Sequence, residues 1–201
     1  PAPTAMTDQT DLTDLKIRVR PAISEIPAEA WDACANPEGN TALAKVTDEI
    51  KVSDKVPDCS PEDNFELRGY LYNPFVSHDY LSALEASQSA ATRTGWQAQH
   101  LVAEDGDGRI LGAAPCYLKS HSQGEYVFDH GWADAYERAG GRYYPKLQVC
   151  VPFTPATGPR LLARPGPQAK AVKDALAAGL MALCGRRGAS SVHAIFLPAD
   201  E

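Results

Sequence analysis

Apolar and polar positions fall along this chain in short blocks, and most blocks predict one element. Leu15-Lys16-Ile17-Arg18-Val19-Arg20 alternates with period two, the pattern of a half-buried strand. Ile26 to Trp31 opens a short helix, with Pro27 in its first turn, where a missing N–H is tolerated. From His78 to about Ser89 a second helix is predicted, because Tyr80, Leu81 and Leu84 share one face and Ser77 is placed to cap it. Trp96 to Glu104 and Arg109 to Leu118 are β-prone runs separated by Asp105-Gly106-Asp107-Gly108. That spacer predicts a hairpin, since glycine supplies positive φ without a steric penalty.

The second half continues in the same way. Trp132 to Ala139 suits a short helix ended by Gly140-Gly141, and Leu147 to Val151 a strand closed by Pro152. Another strand includes Arg160-Leu161-Leu162. Val172, Leu176, Leu180 and Leu183 then recur at helical spacing up to Gly185 and Gly188, a helix of about five turns, before an apolar strand from Ser191 to Leu197. These last three elements read as a strand–helix–strand unit, right-handed where its strands are parallel neighbours. Residues 1–14 hold almost no large apolar side chains and are expected to be a disordered tail, leaving 15–198 as a single domain.

Composition narrows the partners. A net charge of -7 and a pI near 5.2 do not favour a surface that neutralises many phosphates, so tRNA or other nucleic acid would have to rely on local Lys and Arg. Cys34, Cys59, Cys116, Cys150 and Cys184 are odd in number and widely spaced, without a Cys-x-x-Cys pair, and are expected to be reduced thiols. No apolar run approaches the roughly 20 residues of a membrane span and no leader-like start is present, so the cytoplasm is the expected location.

Polar and aromatic residues gather between Asn73 and Arg160 beyond what packing requires. The segment His121 to Asp129 offers an imidazole, two carboxylates and a flexible Gly124. For acyl or aminoacyl transfer, His121, Glu125 or Asp129 can serve as the base that strips an amine, while Lys119 or Tyr126 can donate to an oxyanion. The alternative is a plain polar loop after a hairpin. His78 beside a helix start can cap or contact substrate. His130 follows Asp129 but has no second histidine at ligand spacing, so no metal site is expected.

Four motifs in order, Asn73-Pro74-Phe75-Val76-Ser77-His78, Lys119 to Asp129, Tyr143-Tyr144-Pro145-Lys146 and Pro152 to Arg160, make the chain resemble the FemAB-like peptidoglycan biosynthesis/recognition family, a branch of the GNAT (N-acetyltransferase-like) superfamily. The likeness runs from about Leu15 to Leu197, with an apparent surface insertion at about 41–70. It implies a GNAT-like α/β fold with a mixed, largely antiparallel sheet flanked by helices, and it sets the chain against the N-terminal half of Fem-type proteins, as either a fragment or a half-length form. It also implies a cleft lined by Tyr143, Lys146, Thr154, Thr157 and Arg160, with Gly158 letting the backbone approach a ligand.

The activity so implied is transfer of an acyl or aminoacyl group to an amine, on a small molecule or peptidoglycan precursor. No cofactor is required by that chemistry, and acyl-CoA or aminoacyl-tRNA would be the donor. Coenzyme A is disfavoured by the loop from Arg160 to Gln168, where Pro165 and Pro167 lack the N–H groups that cradle pyrophosphate in ordinary GNAT enzymes. The rival expectations are a non-catalytic domain that recognises cell-wall peptide or sugar, and a half-domain that pairs with a second GNAT-like half.

Overall fold

A computed structural model describes residues 15–37, 72–199 and 201. The expected tail at 1–14 and the expected insertion at 41–70 lie outside these residues. Among the described residues eight strands form two four-stranded sheets, one ordered β1 (Lys16–Arg20), β3 (His100–Glu104), β4 (Ile110–Ala114), β7 (Leu162–Ala163). The other is ordered β2 (Trp96–Ala98), β5 (Cys116–Lys119), β6 (Lys146–Val149), β8 (Val192–Ala194). Every pairing is antiparallel except β6 with β8. Four α-helices accompany them among the described residues: α1 (Ala28–Ala35), α2 (His78–Ala86), α3 (His130–Arg138) and α4 (Ala169–Arg187). This is the mixed, mostly antiparallel α/β arrangement expected of a GNAT-like fold.

The hairpin forms where the sequence places it. Gly108 has φ 81°, and the Asp105 carboxylate accepts from the N–H groups of Asp107 and Arg109. Each arm is longer than one strand, and each breaks as it passes between sheets. Pro115 interrupts one arm and Gln99 the other, so β3–β4 pair in the first sheet and β2–β5 in the second. Pro115 has no N–H to give a ladder, a physical reason for a break at that point.

One long helix unites the two sheets. Val172, Leu176, Leu180 and Leu183 of α4 are buried with Leu101, Ala103, Leu111 and Ala114 of the first sheet and Cys116, Leu147 and Val149 of the second. The opposite face of the first sheet, with Val102, Ala113 and Leu162, packs on Trp31 of α1 and Leu81 of α2. Gly112 and Gly179 permit the close fit: a side chain on Gly112 would run into Val172 and the Leu162 carbonyl, and one on Gly179 would lie 2.7 Å from Ile17 Cγ2.

Several expected boundaries shift. The strand predicted from Ser191 to Leu197 is only Val192–Ala194, and its parallel partner is β6 rather than β7, which lies in the other sheet. The strand–helix–strand unit therefore crosses between sheets, because α4 covers both. The helix from His78 is capped as expected, Ser77 Oγ accepting from Tyr80 N at 3.3 Å, and ends at Ala86.

Candidate functional site

Alternation decides what the second sheet does with its two faces. Leu118, Leu147, Val149 and Cys116 point toward α4. The other face takes the intervening positions, and register sets them in rows: Trp96 opposite Lys119, Lys119 opposite Lys146, Tyr117 opposite Gln148, and Gln148 beside His193. A sheet with one apolar face normally turns the other to water. Here Trp96, Tyr117, Lys119, Lys146 and Gln148 are all at most 1% exposed.

Two buried ammonium groups require compensation. The segment after β5 folds back over the sheet and supplies two carboxylates, Glu125 and Asp129. Lys146 Nζ donates to Asp129 Oδ2 at 2.6 Å, Glu125 Oε2 at 2.8 Å and Ser122 Oγ at 3.0 Å. Tyr143 donates its hydroxyl to the same Asp129 oxygen at 2.7 Å, and Ser122 Oγ and Tyr144 OH lie 2.6 Å apart. Lys119 is held differently. Its Nζ donates to the Gln123 carbonyl at 3.1 Å, sits 3.3 Å from the centre of the Trp96 ring and lies 4.0 Å from Glu125 Oε1.

These surroundings separate the protonation properties of chemically like groups. Burial pushes the Glu125 carboxyl up, and its contacts with Lys146 and Lys119 do not reverse that direction. Burial acts on Asp129 in the same sense, but the Lys146 hydrogen bond and that from Tyr143 outweigh it and hold the carboxyl at about 2. Burial depresses the Lys119 ammonium to about 8 despite the nearby Glu125, whereas the two carboxylate bonds raise Lys146 above an ordinary lysine. Lys146 and Asp129 are thus the firm ion pair, while burial disfavours the charged form of both Glu125 and Lys119.

Of the residues singled out in the sequence, Lys119, Glu125, Asp129, Tyr143 and Lys146 come together in this cluster. Tyr126 lies in the same segment but points out, 52% exposed with φ 58°. His121 is half-buried on the rim, where its ring occupies the space a side chain on Gly95 would need, and burial followed by the Lys119 charge lowers its pKa. Thr154 is tied to Tyr80 OH at 2.9 Å and to the Pro152 carbonyl at 3.0 Å. Thr157 is exposed.

The rest serve elsewhere. Arg160 is completely buried, and its guanidinium donates to the carbonyls of Ile195, Gly158, Pro159 and Ala156, which clips the 156–160 turn to the chain beyond β8. Gly158 makes room for the Asn73 amide, so its close approach is to the Asn-Pro-Phe turn. His78 Nε2 bridges the carbonyls of Ile23 and Ile26 at 3.1 and 3.0 Å and fastens α2 to the loop before α1. A separate cavity of about 340 Å³ lies at the start of α4, lined by Arg109, Arg164 and Pro165 to Ala169. It shares no residue with the cluster. Among the described residues no group of three or more potential metal ligands occurs.

Sequence reasoning missed Trp96, Tyr117, Ser122, Tyr144, Gln148 and His193 as members of this site. A usable signal was present: Tyr117 and Lys119, and Lys146 and Gln148, alternate with apolar residues inside strands that the apolar faces bury. Polar side chains at every second position of a buried strand mark a polar interior.

The fold is a mixed α/β domain with a two-lysine, two-carboxylate cluster on one sheet face, and the comparison with known families supplies the family. The FemAB-like family, described as peptidoglycan biosynthesis/recognition, matches residues 22–201, and the chain belongs to it. No curated protein and no solved structure matches the chain. Among the described residues no helix is long and apolar enough to cross a membrane.

Proposed function

We propose that this domain transfers an acyl or aminoacyl group to an amine of a peptidoglycan precursor, with the Lys119–Glu125–Asp129–Lys146 cluster as its chemical centre. One observation carries the reading. In a family tied to peptidoglycan, two lysines and two carboxylates are gathered on one sheet face, each at most 6% exposed, and their pKa directions diverge. Glu125 is the base that accepts a proton from the acceptor amine as its nitrogen attacks the donor's carbonyl carbon. Lys119 stabilises the transient oxyanion, and as the bond from that carbon to the donor's oxygen or sulfur breaks, Glu125 returns the proton to that leaving atom, which departs as the alcohol or thiol. Lys146 holds Glu125 in place, and is itself fixed by Asp129, which Tyr143 bonds in turn.

Acyl-CoA and aminoacyl-tRNA both fit this chemistry as donors, and the acidic chain favours a donor needing few phosphate contacts. The cytoplasm, where either donor is made, is the proposed location. A second reading, recognition of a cell-wall peptide or sugar without turnover, draws on the closure of the cluster, since every carboxylate and ammonium in it is out of solvent. The deciding experiment incubates the protein with a peptidoglycan precursor bearing a free amine and either activated donor, and follows the new amide by mass spectrometry. Glu125→Gln should lower kcat/KM by roughly 10²–10⁴ while leaving precursor binding in place. Binding without product in either donor arm would sink the transferase reading and leave recognition.

A further inference from the structure

Residues 121–129 fold with their polarity inverted. Ser122, Glu125 and Asp129 are buried, while Tyr126, Val127 and Phe128 stand 52%, 38% and 86% exposed. Apolar burial is the usual anchor of a segment, and these side chains do not supply it. What holds the segment down is polar: the two carboxylates on Lys146, the Gln123 carbonyl on Lys119, and Ser122 on Tyr144.

Two further observations show that this closed form is not fully satisfied. Glu125 Oε1, Asp129 Oδ1 and Trp96 Nε1 are buried without a hydrogen-bond partner, Glu125 Oε1 having only the Lys119 charge 4.0 Å away. Tyr126 and Phe153 also occupy the left-handed backbone region at φ 58° and 57°, which non-glycine residues adopt at some energetic penalty. Phe153 is where the segment meets its neighbour. Its N–H donates to the Gly124 carbonyl at 3.1 Å, its ring fills the place of the side chain Gly124 lacks, and the same ring lies 5.5 Å from Trp96.

We infer that residues 121–129 are a hinged cover, latched by Phe153 in the Gly124 notch and by Lys146, which lifts off the sheet and brings Lys119 and Lys146 to solvent while both sheets stay folded. The inference rests on the geometry of the same site as the proposed transfer, and it holds whichever ligand enters. Lifting frees the stranded carboxylate oxygens to bond water or substrate. The sheet itself loses no strand pairing, since the segment contributes none.

Acylation of the intact protein by a water-soluble, amine-reactive active ester, read residue by residue with mass spectrometry, tests this directly. Each lysine's rate is normalised to its rate in the denatured chain and compared with hydrogen exchange of the β4 amides, which report global unfolding. Lys119 and Lys146 should be labelled with protection at least about ten-fold lower than that of β4. Phe153→Ala should raise the Lys119 rate several-fold and leave β4 exchange unchanged. If both lysines are labelled only as fast as β4 opens, or if Phe153→Ala speeds both processes together, the cover does not exist. Labelling needs no turnover, so a protein that opens but forms no amide keeps the cover and loses the transferase reading.

Discussion

Lys146 is the residue on which the cluster depends, because both carboxylates bond to the same Nζ. Removing one member of a buried ion pair leaves the other charge uncompensated, so Lys146→Met should destabilise the fold by about 3–5 kcal/mol, measured by denaturant unfolding. Asp129 gives a pH signature. Its folded pKa of about 2 lies below its ordinary value of 3.8, so its stabilisation is present above that ordinary value and lost as pH falls through the folded pKa. Stability should therefore fall between about pH 4 and pH 2, and Asp129→Asn should flatten that part of the curve by roughly 2 kcal/mol. Equal acid sensitivity in both proteins would remove Asp129 from the cause. At this scale the sequence is only partly legible. Glu125, Asp129, Tyr143 and Lys146 are visible as a polar concentration. That Lys119 and Lys146 face one another depends on the register of β5 with β6, which sequence alone does not set. His78 and Arg160 look like ligand-facing groups, yet their partners are backbone carbonyls that no side-chain pattern announces.

Among the elements, α4 was the most readable, since its four leucine-type positions recur for the whole length of the helix and are the ones buried. The hairpin was equally clear from its Asp-Gly turn. What could not be read was that each arm serves two sheets, because Pro115 and Gln99 redirect chains whose apolar pattern runs on uninterrupted. The fit of α4 on the first sheet depends on Gly112, where any side chain meets Val172 and a backbone carbonyl. Gly112→Ala should thus destabilise by about 1–3 kcal/mol through overpacking, detected as a lower denaturant midpoint with unchanged slope. An unaltered midpoint would mean that the helix can move away freely.

For the molecule as a whole, the two sheets share one apolar core through α4, so they should melt as a unit. Leu176→Ala, at a fully buried position in that core, should lower stability by about 2–5 kcal/mol, with tertiary and secondary structure lost in one coincident transition. Two separated transitions would show that the sheets fold independently. The class of fold was legible because strand and helix periodicities are local; the division into two sheets and the pairing of β8 with β6 were not, since both arise from contacts far apart in sequence.

Asn36 and Asn73 hold a last consequence. The Asn36 side chain takes a hydrogen bond from Asn73 N at 2.8 Å and gives one to Asn73 O at 3.1 Å, so a single carboxamide clasps both backbone groups of a residue 37 positions away. The end of α1 and the start of the Asn-Pro-Phe turn are thereby buckled to each other by the described residues themselves. Asn36→Ala would undo that buckle and let the Asn-Pro-Phe turn swing away from α1, an effect to be read as a lower denaturant midpoint.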